Sequence, residues 1–231
     1  NLYVNNGDTK RFNWSIAPFE YKEAGGKNTG VTHREFEQGK LAEVMSQYGQ
    51  QRGTYQYADD TEKTTATKNF SRMCGKYRRE YEADKKDKNY TSINFPILRY
   101  ADVLLMIAEA ENEANNGPTT LAYQCMNEVR ERAGLNELPD MTQEEFRQTV
   151  KDERAMELCF EYTRRFDLIR WGEYVKNMRA LVTEAQSGNN WTQGPTNVYT
   201  YFNISSTYNY FPIPDAEMSV NKDITQNNPG W

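Results

Sequence analysis

The stretch Phe95-Pro-Ile-Leu-Arg-Tyr-Ala-Asp-Val-Leu-Leu-Met-Ile-Ala-Glu-Ala-Glu-Asn-Glu-Ala114 decides the fold class of this chain. Leu98, Ala101, Leu104, Leu105, Ala108 and Ala114 recur at roughly helical spacing, while Asp102, Glu109 and Glu113 leave another face polar. A helix patterned this way is built to pack against other helices. The spacing predicts it over residues 97–115, with Asn116-Gly117-Pro118 as the breaker that lets the chain reverse.

Working outward, Thr119 or Thr120 can cap a second helix, in which Leu121, Cys125 and Val129 lie four apart and Ala122, Met126 and Ala133 widen the stripe up to Gly134. Helices joined by so short a turn pack antiparallel, giving a hairpin of tetratricopeptide-like size. One hairpin is not an array, so a repeat architecture needs partner hairpins. Thr142-Gln-Glu-Glu145 is a capping box that opens a third helix, which turns Phe146, Val150 and Leu158 inward. A fourth helix is expected over residues 165–183, before Ser187-Gly-Asn-Asn-Trp-Thr-Gln-Gly-Pro195 ends the pattern. Residues 196–210 alternate partially, as a short strand or an extended loop, and Phe211-Pro-Ile-Pro214 holds an extended path. The closing Trp231 suggests a docked terminus.

The fold class expected is therefore all-α: helical hairpins of tetratricopeptide-like type with long irregular loops. Residues 1–67 read as an irregular, loop-rich segment belonging to a larger domain, with one helical candidate at 35–48, and residues 68–231 as the helical region. In the charge-dense stretch 69–94, Phe70 and Tyr77 are the expected core contacts.

Composition narrows the function. A net charge of −5 without a basic tract argues against nucleic acid, whose phosphates need clustered Lys and Arg. Cys74, Cys125 and Cys159 form no Cys-x-x-Cys pair, and Cys125 and Cys159 sit in apolar patterns as small hydrophobes. No signal peptide or run of 18 apolar residues is present, and the opening Asn1-Leu-Tyr-Val has no initiator Met. That is the pattern of a chain that begins inside a longer polypeptide. His33 is the single histidine, and Asp59-Asp60 with Glu62 lacks the Gly and terminal Glu of a calcium loop, so no metal and no cofactor are expected.

Two groups of residues stand out. Glu153, Arg154, Glu157, Glu161, Arg164, Arg165, Asp167 and Arg170 are interleaved with Phe160, Phe166, Leu168, Ile169 and Trp171. Charges so mixed with large apolar groups tend to be partly buried and must find partners, so Glu153, Glu157 or Glu161 are expected to pair with arginines of the following segment as a structural ion network. The second group is aromatic: sixteen Tyr and four Trp exceed the needs of a small core. Trp191, Tyr199, Tyr201, Tyr208, Tyr48, Tyr55 and Tyr57 lie in polar, glycine-containing neighbourhoods and are candidate ligand platforms, whereas Trp171 and Trp231 are expected to be structural and Trp14 stands between core and surface.

Six pieces in order now carry a resemblance: Leu98-Arg-Tyr-Ala-Asp-Val-Leu-Leu105 with Ala108-Glu-Ala110, Asn127-Glu-Val-Arg-Glu-Arg-Ala-Gly-Leu135, Glu153-Arg-Ala-Met-Glu-Leu158, Arg165-Phe-Asp-Leu-Ile-Arg-Trp-Gly172, Phe211-Pro-Ile-Pro214 with Glu217, and Gln226-Asn-Asn-Pro-Gly-Trp231. The chain resembles the C-terminal region of the SusD/RagB family of Bacteroidetes nutrient-binding lipoproteins. That family often has Phe-Glu-Gly-x-Arg where this chain reads Phe160-Glu-Tyr-Thr-Arg164, a local departure at a helix junction.

The resemblance implies the C-terminal part of a SusD-like fold, with the remainder of the polypeptide as a packing partner. It implies a cell-surface, outer-membrane protein, lipid-anchored through an N-terminal segment not present in this chain. It implies non-catalytic binding of a glycan for delivery to a SusC-like TonB-dependent transporter, or peptide binding as in other members. It supplies no catalytic residues. Two alternatives rest on the residues themselves: a protein-interaction scaffold whose tyrosine-rich loops meet a transporter, and a helical glycoside hydrolase. The hydrolase needs two facing carboxylates, and arginines near the conspicuous glutamates would make them poor general acids.

Overall fold

Two of the three helices that carry most of the core start at side-chain caps. The computed structural model describes residues 2–17, 19–21, 49–51, 73–77, 91–187 and 203–231. Its elements divide into two compact units, Asn1–Glu62 with Ser71–Arg164 and Lys63–Phe70 with Arg165–Trp231.

In the first unit, α1 (Leu2–Asn5) and α2 (Thr9–Ser15) lead into β1 (Ile16–Ala17), β2 (Phe19–Tyr21), β3 (Gly49–Gln51) and β4 (Met73–Cys74). β1 pairs antiparallel with β4, Ile16 opposite Cys74, and β2 with β3, Phe19 opposite Gln51. Pairings of two or three residues staple loops and make no layer, so the architecture is helical, as the sequence predicts. Helix at 2–5 and 9–15 was not expected, because two short segments offer too few turns for periodicity to register. The 35–48 candidate, His33, Phe70 and the Asp59-Asp60 pair lie outside the described residues.

α3 (Tyr100–Ala114), α4 (Thr120–Ala133) and α5 (Gln143–Glu157) follow. Thr119 accepts from the Ala122 N–H to start α4, and Gly134 ends it in the left-handed region at φ 80°. α5 opens on the expected capping box, in which Thr142 and Glu145 each accept a backbone N–H of the other. Leu104, Leu105 and Ala108 of α3 meet Ala122, Cys125, Met126 and Val129 of α4 and Phe146 and Val150 of α5 in one buried cluster. Each such large side chain stabilises by about 1.5–3 kcal/mol. Tyr123 packs edge-on to Phe146 at 5.1 Å, and its hydroxyl accepts from the Met141 N–H at 2.8 Å. At the hairpin's far end Asn112 donates to the Gln143 carbonyl (3.1 Å) and Gln143 donates back to the Asn112 carbonyl (3.2 Å). A smaller cluster of Tyr3, Phe12 and Met156 fastens α1 and α2 to α5.

Three details of the expected pattern change. α3 begins at Tyr100, and Leu98 is exposed, because Arg99 stays extended as the N-cap. Asp102, assigned by periodicity to a polar face, is buried against Arg154, whose Nη1 donates to its Oδ1 at 2.7 Å. Leu121 is exposed, and Ala122 takes its place inside, since the buried arc of α4 follows Ala122, Cys125, Met126, Val129 and Ala133.

The expected fourth helix is two: α6 (Arg164–Arg170), which from Arg165 onward belongs to the second unit, and α7 (Tyr174–Ser187). Gly172 at φ 70° stands between them, with its N–H on the Ile169 carbonyl and that of Glu173 on the Leu168 carbonyl, a glycine stop that the continuous apolar spacing concealed. A short 3₁₀ turn at Ser206–Asn209 and α8 (Asp215–Val220) complete the chain. Here two separately quoted motifs touch. Asn227 accepts from the Ile213 N–H (2.8 Å) and donates to the Ile213 carbonyl (3.2 Å), and Asn228 donates to the Phe211 carbonyl (2.7 Å). Trp231 is docked, its ring edge-on to Tyr208 at 5.6 Å and its indole N–H on the Thr207 carbonyl at 3.3 Å.

Candidate functional site

The end of α5 collects charge. Asp8 caps α2 by accepting the Arg11 N–H at 3.0 Å, and it also accepts the Arg11 side chain, so cap and guanidinium form one buried unit. Arg11 Nη1 then reaches Glu153 Oε1 (2.6 Å) and Glu157 Oε2 (3.0 Å). Arg130 donates to Glu153 at 3.2 Å, Arg132 to Glu157, and Lys76 to Glu161. Arg99 holds Glu157 at 2.7 Å and, through its fork, Glu161 at 2.6 and 2.9 Å. Lys76 and Arg99 also donate to the Glu157 carbonyl, both at 2.7 Å, which places two cations on the negative end of α5.

The sequence placed the partners of these glutamates just downstream. They come from upstream and from four separate segments of chain: Arg11, Lys76, Arg99, and Arg130 with Arg132. Of the downstream residues, Arg164 donates to the Lys151 carbonyl (3.1 Å) and Arg170 to Asp167 (3.0 Å). Arg165 donates to the Tyr208 carbonyl (2.8 Å) and stacks on Phe211, 4.2 Å from the ring centre. Linear proximity misled because a helix end faces whatever packs beside it, and α1, α2 and the start of α3 pack there.

Electrostatics follow from burial. Burial pushes the Glu157 carboxyl up, but Arg132 and Arg99 more than reverse this and hold it below the ordinary glutamate value. Burial disfavours the Arg11 charge, yet Glu153 and Asp8 overcome it and raise its pKa. Tyr77 is raised by burial and by Glu161.

Between these groups opens a cleft of about 260 Å³, lined by the cations Arg11, Lys76, Arg99 and Arg132, the carboxylates Glu157 and Glu161, and the rings of Trp14 and Tyr77. Tyr77 starts a row of rings: Phe95 lies 5.5 Å from it, and Tyr162 lies 5.5 Å beyond Phe95. Phe95 is 46% and Tyr162 77% exposed. Tyr77 and Tyr162 both carry left-handed backbone, at φ 59° and 61°. Tyr162 thus holds the conformation that a glycine would adopt freely.

Of the aromatic candidates read from sequence, Tyr208 lies at the docked terminus and is 42% exposed. Trp191, Tyr199, Tyr201, Tyr48, Tyr55 and Tyr57 lie outside the described residues. Sequence reasoning did not single out Arg11, Lys76, Arg99, Arg132, Phe95 or Tyr162 as site residues. The Asp8-Thr-Lys-Arg11 spacing was the available signal for the first, since it sets a cap and a basic side chain one helical turn apart.

Comparison with known proteins agrees with this architecture over nearly the whole chain, for the SusD family model matches residues 3–231. The chain belongs to the SusD family. Among SusD-family relatives, "SusD-like protein P25" of Formosa agariphila is 39% identical over 144 residues, 61% of this chain and 25% of that protein. "Starch-binding protein SusD" of Bacteroides thetaiotaomicron is 29% identical over 150 residues, 64% of this chain and 24% of that protein. A solved SusD homolog from Bacteroides thetaiotaomicron superposes on 99% of this chain and 42% of its own, with TM-score 0.70 and 30% identity. The chain thus spans about a quarter of the length of the curated relatives it matches.

Proposed function

We propose that the chain is part of a non-catalytic glycan-binding protein of the cell surface, lipid-anchored in the outer membrane, which passes oligo- or polysaccharide to a SusC-like TonB-dependent transporter. The observation that carries this reading is the family match across residues 3–231. Starch binding in the name of one relative supports a saccharide as the ligand class. The exposed rings of Phe95 and Tyr162 beside a cleft rich in hydrogen-bond donors offer the flat apolar face and polar edge that a sugar needs. Tyr48, Tyr55, Tyr57, Trp191, Tyr199, Tyr201 and Tyr208 are proposed as further platforms.

The non-catalytic reading is supported by Glu157. A carboxyl tied to three guanidinium groups and held below its ordinary pKa is a poor general acid. A glycan array on the full-length protein, followed by product analysis, tests both parts. Binding with the oligosaccharide left intact is the expected result. Released product would favour the hydrolase. Absence of any glycan response, with co-purification of an outer-membrane barrel, would favour the scaffold, and capture of peptides the peptide-binding members.

A further inference from the structure

The cleft at the end of α5 contains donors that the protein does not use. Arg11 is 6% exposed, yet its Nη2 atom is buried without a hydrogen-bond partner, and the buried Tyr77 hydroxyl is likewise unpartnered. Both residues line the same cleft. Buried polar groups are nearly always satisfied, because an orphaned one forfeits its hydration without recompense, so two beside one cavity call for acceptor atoms from outside. Charge points the same way. Among the described residues the cluster sets five cations, Arg11, Lys76, Arg99, Arg130 and Arg132, against four carboxylates, Asp8, Glu153, Glu157 and Glu161. Among these described groups one positive charge is in excess, and of the five cations only Arg132 is more than half exposed. The adjoining rings add a third observation, since Tyr77 and Tyr162 both hold strained left-handed backbone, and Tyr162, 77% exposed, recovers little of that by burial.

We propose that the cleft takes the acidic group of a glycan, a uronate carboxylate or a sulfate ester, with its oxygens on Arg11 Nη2 and the Tyr77 hydroxyl and the neighbouring sugar on the Phe95 and Tyr162 rings. The proposal rests on the glycan-binding reading above and narrows it to acidic saccharides. Guanidinium forks suit both oxyanions, which share planar or tripodal acceptor oxygens and one negative charge. The cleft is smaller than the roughly 300–1,000 Å³ of drug-sized pockets, as fits one substituent and not a whole chain.

The test is calorimetric titration of the full-length protein with three oligosaccharides of equal length: neutral, uronate-containing and sulfated. One acidic series is expected to bind at least about tenfold tighter than the neutral one, by a margin that narrows at high salt. Which series it is separates carboxylate from sulfate. Tyr77→Phe, which removes a buried hydroxyl left unpartnered within this chain, is expected to weaken acidic binding about tenfold. Arg132→Gln, at a more exposed cation of the same cleft, should reduce the ratio of acidic to neutral affinity. Equal affinity for neutral and acidic sugars, untouched by Tyr77→Phe, would overturn the proposal and leave the glycan-binding reading standing. No binding of any of the three would remove both.

Discussion

At Glu157 two large effects oppose each other, burial against the pull of three guanidinium groups, and the guanidinium groups win. Glu157→Gln removes the charge and leaves those cations facing a neutral amide. Breaking one side of a buried ionic cluster costs about 3–5 kcal/mol, so urea unfolding should show a loss of that order. The pH dependence has a definite sign. A folded pKa depressed below the unfolded value of about 4.3 gives stability that is complete above that value and is lost as pH falls through the lower folded one. Acid titration of the wild type should therefore show a decline below about pH 4.3 that Glu157→Gln flattens. Tyr162 presents the reverse case, a side chain whose backbone is strained. Tyr162→Gly relieves a left-handed φ of 61° and should raise unfolding stability by about 1 kcal/mol in urea titration. A fall in stability would mean that the ring contact with Phe95 outweighs the strain.

Among the elements, helix ends decide more than helix middles. Gly134 terminates α4 at φ 80° with open space around its Cα, so Gly134→Ala meets no clash and should cost only the backbone penalty, about 1 kcal/mol in thermal unfolding. Gly230 differs in kind. A Cβ there would collide with the Thr207 side chain, and Gly230→Ala should expel the terminal indole, seen as a red shift of tryptophan emission. These ends also mark how much of the fold was legible beforehand. The α3–α4 hairpin, the Thr142 capping box and the docked Trp231 were readable because each is a local pattern of spacing and caps. The break at Gly172 was hidden, since Leu168, Ile169 and Trp171 kept apolar spacing up to it. The cleft was not readable, because its cations come from segments as far as 146 residues from the glutamates they hold. No periodicity reports a meeting of that kind.

Across the whole molecule, order should follow the shared core. Amide exchange is expected to be slowest in α4 and α5, around Met126, Val129, Phe146 and Val150, and faster in the two-residue strands β1 and β4, whose pairing is too short to be cooperative. Exchange as slow in the two-residue pairing of β1 as in the fifteen-residue α5 would contradict this ranking. The link between Arg11 and Glu153 spans 142 residues. At a translation speed of roughly 5–20 residues per second, the arginine leaves the ribosome roughly 7–28 seconds ahead of its carboxylate. Until then Arg11 has Asp8 beside it but lacks Glu153 and Glu157, so nascent chains halted before Glu153 should be cut by protease at residues 2–17 more readily than chains that extend past the last turn of α5.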